Sequence, residues 1–284
     1  MNPPKAVKDD TARSPFAGCA IFIAAMVVMV FLIGFSVLTL FRQFNEIAKF
    51  TSEKPAPVEV TSLEDKEAQL NPLAERVEKF RQQLADNTDA SLALTADELN
   101  LAIAAYEPFN ELRGTFRVLA IEGNQMRIAI SFKLNGRPRF ARDGEPGWIA
   151  SDSRYLNATL LARPLLDKRE IMLMLDRIDV PGAKVPQEFI DQMSPYRVTE
   201  RYLTDKAIGP AMAKLTRVEI VDGKVVLTRK PGETPTGAIT NQQVDSGSAR
   251  LFKTLGIAAA IFLAFAGTIV LIGVRAKARK AREP

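Results

Sequence analysis

The sequence predicts an α+β protein: two transmembrane helices flanking one extracytoplasmic domain, whose antiparallel sheet of about five or six strands packs on helices. Three observations carry this. The stretches Ser14–Phe41 and Thr254–Val274 hold no charged residue. The second has 21 positions, and a helix of that length covers about 31 Å, the thickness of a bilayer's hydrocarbon core. Between them the hydrophobic period changes from helical to two and back again.

The ends set the topology. Arg275, Lys277, Arg279, Lys280 and Arg282 follow the second apolar stretch at once. A short basic flank beside a span stays in the cytoplasm, so the C-terminus is expected inside. Two spans bring the N-terminus to the same side, in agreement with Lys5, Lys8 and Arg13. Residues of about 42–252 are then extracytoplasmic. The net charge of +5 comes from these ends. They hold eight of the 38 basic and three of the 33 acidic residues, which leaves 30 against 30 between them. A nucleic-acid surface needs surplus positive charge in the folded part, so that class is excluded. The chain has no histidine and a single cysteine, Cys19. No internal disulfide can form. Cys19 precedes its apolar run, whereas a lipoprotein processing box follows one, so lipidation is rejected.

Taken in order, residues 1–15 form a cytoplasmic segment and 16–40 the first span. A signal peptide would be shorter and would end in a small-residue cleavage site, which Arg42-Gln43-Phe44 is not. Residues 41–60 form a stalk, in which Phe41, Phe44, Ile47, Ala48 and Phe50 keep a rough helical spacing until Pro55 and Pro57. The domain covers 61–230. Asn71 as N-cap and Pro72 at the first position open its first helix, with Leu73, Val77, Phe80 and Leu84 on one stripe. Asp86-Asn87 ends that helix, and Ser91–Leu94 is a short strand. Thr95-Ala96-Asp97-Glu98 is a capping box for a helix that Pro108 stops.

Period two sets in at Thr115 and turns at Glu122-Gly123-Asn124. Met126, Ile128, Ile130, Phe132 and Leu134 then share one dry face. Residues 136–153 read as a loop, with the one tryptophan, Trp148, expected to fold back on the core rather than dip into the membrane interface. Strands follow over 154–162 and 169–180, helices over 186–193 and 198–214, the latter kinked or split by Gly209-Pro210. A hairpin through Asp222-Gly223 closes the domain. Residues 231–251 are a flexible linker, 252–274 the second span and 275–284 the basic tail.

Without histidine, the usual triads and histidine metal sites are gone. Glu64-Asp65, Asp97-Glu98, Asp152 and the pair Asp176 and Asp179 remain, none set in an apolar pocket that would raise a carboxyl pKa. No catalytic residue, metal or cofactor is expected. The five consecutive apolar residues Ile171–Leu175 call for two dry faces, since a half-wet strand alternates. The second face is covered either by more protein, such as the Tyr202–Leu215 segment, or by an apolar ligand. The ligand groove would be lined by Met126, Ile128, Ile130, Phe132, Leu134, Met172 and Met174. In the second span Gly256, Ala260, Ala264 and Thr268 recur every four residues, a stripe of small side chains suited to helix packing against the first span or in a homodimer.

The order of segments resembles a known family. Leu94-Thr95-Ala96-Asp97-Glu98-Leu99-Asn100, then Ile178-Asp179-Val180-Pro181-Gly182 with Val185-Pro186, then Val218–Gly223, are similar to the YpmS-like membrane-anchored extracytoplasmic proteins. That resemblance covers about residues 90–230 and implies a fold like the tubular lipid-binding domains. It supplies no catalytic residues, and the family typically has one N-terminal span where this chain has a second. Two functions stay open: a domain that binds lipid or another apolar envelope ligand near the membrane surface, or a non-catalytic scaffold for an envelope protein. The absence of disulfides and the compact basic tail point to a bacterial cytoplasmic membrane.

Overall fold

The computed structural model describes residues 15–167, 169–206 and 208–234, together with Ile257, Ile261, Ala264, Gly267, Thr268 and Arg275. Helix α1 runs Pro15–Ala48. Its segment Ala25–Ala48 has 24 residues and a mean hydropathy of 2.2, long and apolar enough to cross a membrane. The helix thus continues into the first part of the stretch read as a stalk and ends at Ala48, before Pro55. The predicted second span lies outside the described residues, except that Ile257, Ile261, Ala264, Gly267 and Thr268 are helical. The chain divides into two units, one of which is Gln43–Thr240.

Within that unit, helix α2 spans Glu67–Ala85 and buries Leu73, Phe80 and Leu84 on one stripe. It starts a turn before Asn71, with Pro72 inside it. Lys66 O already accepts from the amides of Gln69 and Leu70. A proline that early removes one hydrogen bond, and the apolar stripe sustains the helix. Strand β1 (Ala90–Leu94) leads into helix α3 (Ala96–Ala105). The capping box is complete: Glu98 N donates to Thr95 Oγ1 at 3.2 Å, and Thr95 N donates to Glu98 Oε2 at 2.9 Å. A short 3-10 turn, Glu107–Leu112, follows Tyr106.

Strands β2 (Phe116–Glu122), β3 (Gln125–Phe140), β4 (Ile149–Asp167) and β5 (Glu170–Asp179) form one antiparallel sheet in that order. Helix α4 (Gln187–Met193) and the five-residue helix α5 (Ile208–Met212) come next. The helix expected over 198–214 is split, as Gly209-Pro210 suggested, but the break falls between a 3-10 turn, Glu200–Tyr202, and α5, which itself contains Gly209-Pro210. Gly209 packs so tightly that a Cβ there would lie 2.3 Å from Leu203 O. Strands β6 (Arg217–Val221) and β7 (Lys224–Arg229) close the domain through a turn with Asp222 at φ 50° and Gly223 at φ 70°. Both left-handed residues match the twist of the strands they join.

The strands number seven among the described residues, in two sheets rather than one. Strand β7 pairs with β1, Ala90 opposite Arg229, which gives the order β1-β7-β6. The partner lies far away along the chain, so no local pattern discloses it. Strand β4 packs on β6, α3 on β2, α2 on β1 and α4 on β5. The core between these layers holds Leu73, Ile128, Leu156 and Leu160, all with 0 % exposure. Each contributes about 1.5–3 kcal/mol by leaving water.

Candidate functional site

The residues predicted to line a groove lie mostly in that core. Met126, Ile128, Ile130 and Met172 are 4 % exposed or less. Phe132, Leu134 and Met174 are half-buried. The Phe132 ring stacks on Tyr196 at 5.0 Å between centroids, and Ser194 Oγ donates to the Met174 sulfur at 3.8 Å. The dry run Ile171–Leu175 is closed by the chain itself. Leu173 and Tyr196 exchange backbone hydrogen bonds of 2.8 Å, Thr199 Oγ1 accepts from Ile171 N, and Ser194 Oγ accepts from Leu175 N. The segment 194–199 thus closes the outer edge of β5, and α4 packs against the strand. The opposite edge of the sheet is closed by Asn100. Its amide nitrogen donates to Val118 O at 2.7 Å and its oxygen accepts from Val118 N at 2.9 Å.

Of the candidate carboxylates, Glu98, Asp152, Asp176 and Asp179 are held in ion pairs. Asp176 takes a bidentate contact from Arg163 and a hydrogen bond from Gln125. The Arg163 guanidinium holds its carboxyl below the usual range. Asp179 pairs with Arg177 and Glu98 with Arg76. Buried Glu170 receives Arg197, which also reaches Glu200. Pairing with Arg163 keeps Asp176 ionised, so it is a poor proton donor near neutral pH. The arrangement suits binding and positioning. Of the packing stripe, Gly256 and Ala260 lie outside the described residues. Ala264 and Thr268 are helical, with the Thr268 hydroxyl donating to Ala264 O.

Two features escaped the sequence reading. The first is a cleft of about 580 Å³ between the last turns of α1 and the strands β3 and β4. Phe44, Ile47 and Ala48 form one wall; Gly136, Asp152 and Arg154 form the other. Arg154 clasps the helix end, donating to Ala48 O at 2.9 Å and to Thr51 Oγ1 at 3.1 Å. A cation at a helix C-terminus satisfies otherwise orphaned carbonyls. Tyr155 pairs with Ser52, and Phe50 enters the core against Phe189 at 4.8 Å between ring centroids. The stalk is therefore seated on the domain, and Gly136 lets the strands approach, since a Cβ there would fall 2.6 Å from Asp152 O.

The second feature is a hairpin arm. Strand β2 accompanies β3 only as far as Ile130, and β5 accompanies β4 only from Thr159. Beyond Asn135–Ser153 the pair β3–β4 runs on as a two-stranded ribbon to Phe140–Ile149, about 17 Å at strand rise. Gly136 and Pro138 made this look like a loop, and the ladder does shift between Asn135 and Pro138. The tip is braced by one arginine. Arg139 donates to both Glu145 oxygens, at 2.7 and 2.6 Å, and to Asp152 at 2.7 Å. Glu145 also accepts from Arg142 N. The Arg139 guanidinium, followed by the Arg142 amide, holds the Glu145 carboxyl down at about 2. Trp148 does not fold back on the core: it is 89 % exposed, beside Phe140 at 87 % and Ile149 at 71 %. The arm carries all three away from the body of the sheet. The sequence signal for it is slight, Phe140 and Ile149 bracketing a loop with Gly144 and Gly147.

Comparison of the chain with protein-family models, curated proteins and solved structures finds no match.

Proposed function

We propose that this chain is a membrane-anchored, non-catalytic interaction module of the bacterial cytoplasmic membrane, a scaffold whose extracytoplasmic domain engages another envelope protein. On this reading both apolar stretches span the bilayer, both termini are cytoplasmic and residues of about 42–252 lie outside. The observation that carries it is the filled core. Met126, Ile128 and Ile130, the residues best suited to an apolar ligand, are packed into the core cluster, and Met172, which the register puts on the other face of the sheet, is itself 4 % exposed. What remains for function is the outer surface, and the paired acids leave that surface rigid rather than reactive.

A lipid ligand is the second reading, in keeping with the resemblance to tubular lipid-binding folds. The stalk cleft supports it, because Phe44 and Ile47 there face a wall that includes Arg154. In-cell photo-crosslinking separates the two. A photoreactive side chain at Leu119 or Val221, 45 % and 43 % exposed, should yield a discrete protein adduct. An adduct with a second copy supports a homodimer. Lipid recovered in equal molar amount from the purified chain, without any adduct, reverses the order of the two readings. Protease added to spheroplasts should remove the domain and spare a C-terminal tag; loss of the tag overturns the topology.

A further inference from the structure

Three large apolar side chains at one tip need an explanation, because the loop that bears them is braced rather than slack. Arg139 ties Glu145 to Asp152, so Phe140, Trp148 and Ile149, all largely exposed, are carried by an ordered frame. Exposed apolar clusters of this kind mark contacts with something apolar. The direction of the arm says what. Its base is fixed where Arg154 clasps Ala48. Tyr155 pairs with Ser52, Arg154 reaches back to Ala48, and Gly136 and Asp152 line the cleft together with Phe44 and Asn45. Moving along the arm toward its tip is thus moving back along α1 toward Gln43, where the chain leaves this unit. Arg42, the residue before it, is the first charge after the apolar stretch of α1. Within this unit, therefore, the arm extends on the side where the chain runs back to Gln43.

We propose that Phe140, Trp148 and Ile149 dip into the headgroup region of the bilayer that α1 crosses, making the arm a second, non-covalent foot for the domain. Tryptophan favours that depth, where its ring meets acyl chains and its N–H meets water or headgroups. The charge of the arm supports an uncharged mode of contact. Within residues 136–153 Arg137, Arg139 and Arg142 are balanced by Asp143, Glu145 and Asp152, so anionic lipid gains nothing from it. The proposal rests on α1 being a span.

Trp148 is the only tryptophan of the chain, so its fluorescence reports on the tip alone. Full-length protein is reconstituted into phosphatidylcholine vesicles whose acyl chains carry bromine near the glycerol or near the methyl end. The expected result is blue-shifted emission, quenched more by the shallow bromine than by the deep one, with no requirement for anionic lipid or low salt. The double variant Phe140→Ser/Ile149→Ser should shift the emission to the red and lose most of the quenching, while circular dichroism stays that of the parent. Emission typical of water-exposed indole, unquenched by either bromolipid, overturns the proposal, and so covers the case in which a protein caps the tip. Stronger quenching by the deep bromine, or quenching only with anionic lipid, also overturns it. Carbonate extraction of the same vesicles reads α1 separately. An anchored chain with water-exposed Trp148 defeats the arm alone, whereas an extractable chain defeats the anchor and the arm with it.

Discussion

Asn100 is the side chain whose removal has the best-defined consequence. It is 6 % exposed, and it contacts Val118, 2 % exposed, through both polar atoms of its amide. Val118 sits where the β2–β3 ladder shifts register, before Ala120. On that outer edge the amide takes the place of a neighbouring strand. Asn100→Leu keeps the approximate bulk and strands one buried N–H and one buried C=O. At about 1–3 kcal/mol for each unsatisfied group the loss is about 2–6 kcal/mol, offset in part by the more apolar side chain. Asn100→Asp separates the two halves of the clamp. A carboxylate still accepts from Val118 N but faces Val118 O without a proton to give. Burial and that carbonyl raise the folded-state pKa of the introduced carboxyl above its unfolded value. Its stability is therefore fully present below the unfolded pKa and lost as pH rises through the folded one. Urea unfolding of the full-length chain in mild detergent, followed by far-ultraviolet circular dichroism, measures both variants. The midpoint of Asn100→Leu should fall at every pH, and that of Asn100→Asp should fall much further at about pH 7 than at about pH 4. Equal midpoints for Asn100→Leu and the parent refute the reasoning, because water would then be replacing the clamp. So does an Asn100→Asp defect that ignores pH.

Other outcomes follow from the same structure. Glu145 is depressed from 4.5 to about 2, so its bracing of the tip is present above 4.5 and is lost as pH falls through about 2; the protection of the tip amides, taken relative to their intrinsic exchange rate at each pH, should fall over that window and stay constant across it in Glu145→Gln. Ile130→Asp places an unpartnered carboxylate at a site with 2 % exposure and should leave the domain unfolded, whereas Met174→Asp, half-buried beside Ser194, should be milder. A folded Ile130→Asp domain would mean that the sheet face is open to water after all. Gly209→Ala drives a Cβ against the Leu203 carbonyl, with no side chain able to yield, and should cost about 1–3 kcal/mol in a thermal melt; an unchanged melting temperature counts against the close approach.

The features legible in the sequence are those whose partners are near along the chain. Thr95 and Glu98 are three residues apart and satisfy each other's amides. Asp222-Gly223 joins adjacent strands, as does Glu122-Gly123-Asn124. What stayed hidden depends on distant segments. That β1 takes β7 rather than joining its nearer neighbours is decided by packing between two sheets. The helix start is earlier than expected because Asn71-Pro72 is a good opening signal, yet Lys66 and the stripe through Leu73 sustain an earlier turn. The arm was hidden by its composition, since Gly136, Pro138 and three arginines read as coil although backbone pairing alone builds the ribbon. The groove was inferred from dry strand faces, and dryness by itself cannot distinguish a wall from a core. Ser194, Tyr196 and Thr199, which close the edge of β5, carry no pattern that announces such pairing.

The pairing of Ala90 with Arg229 also governs how the protein is made. Strand β1 is among the first parts of the domain to leave the ribosome, and the strand it needs is among the last. At about 5–20 residues per second, roughly 140 residues of further synthesis keep β1 waiting for some 7–28 s. During that interval its unpaired edge and the apolar face under α2 are open to chaperones and to proteases. A nascent chain arrested before Lys224 should be degraded quickly, and one arrested a few tens of residues later, with β7 clear of the tunnel, should survive.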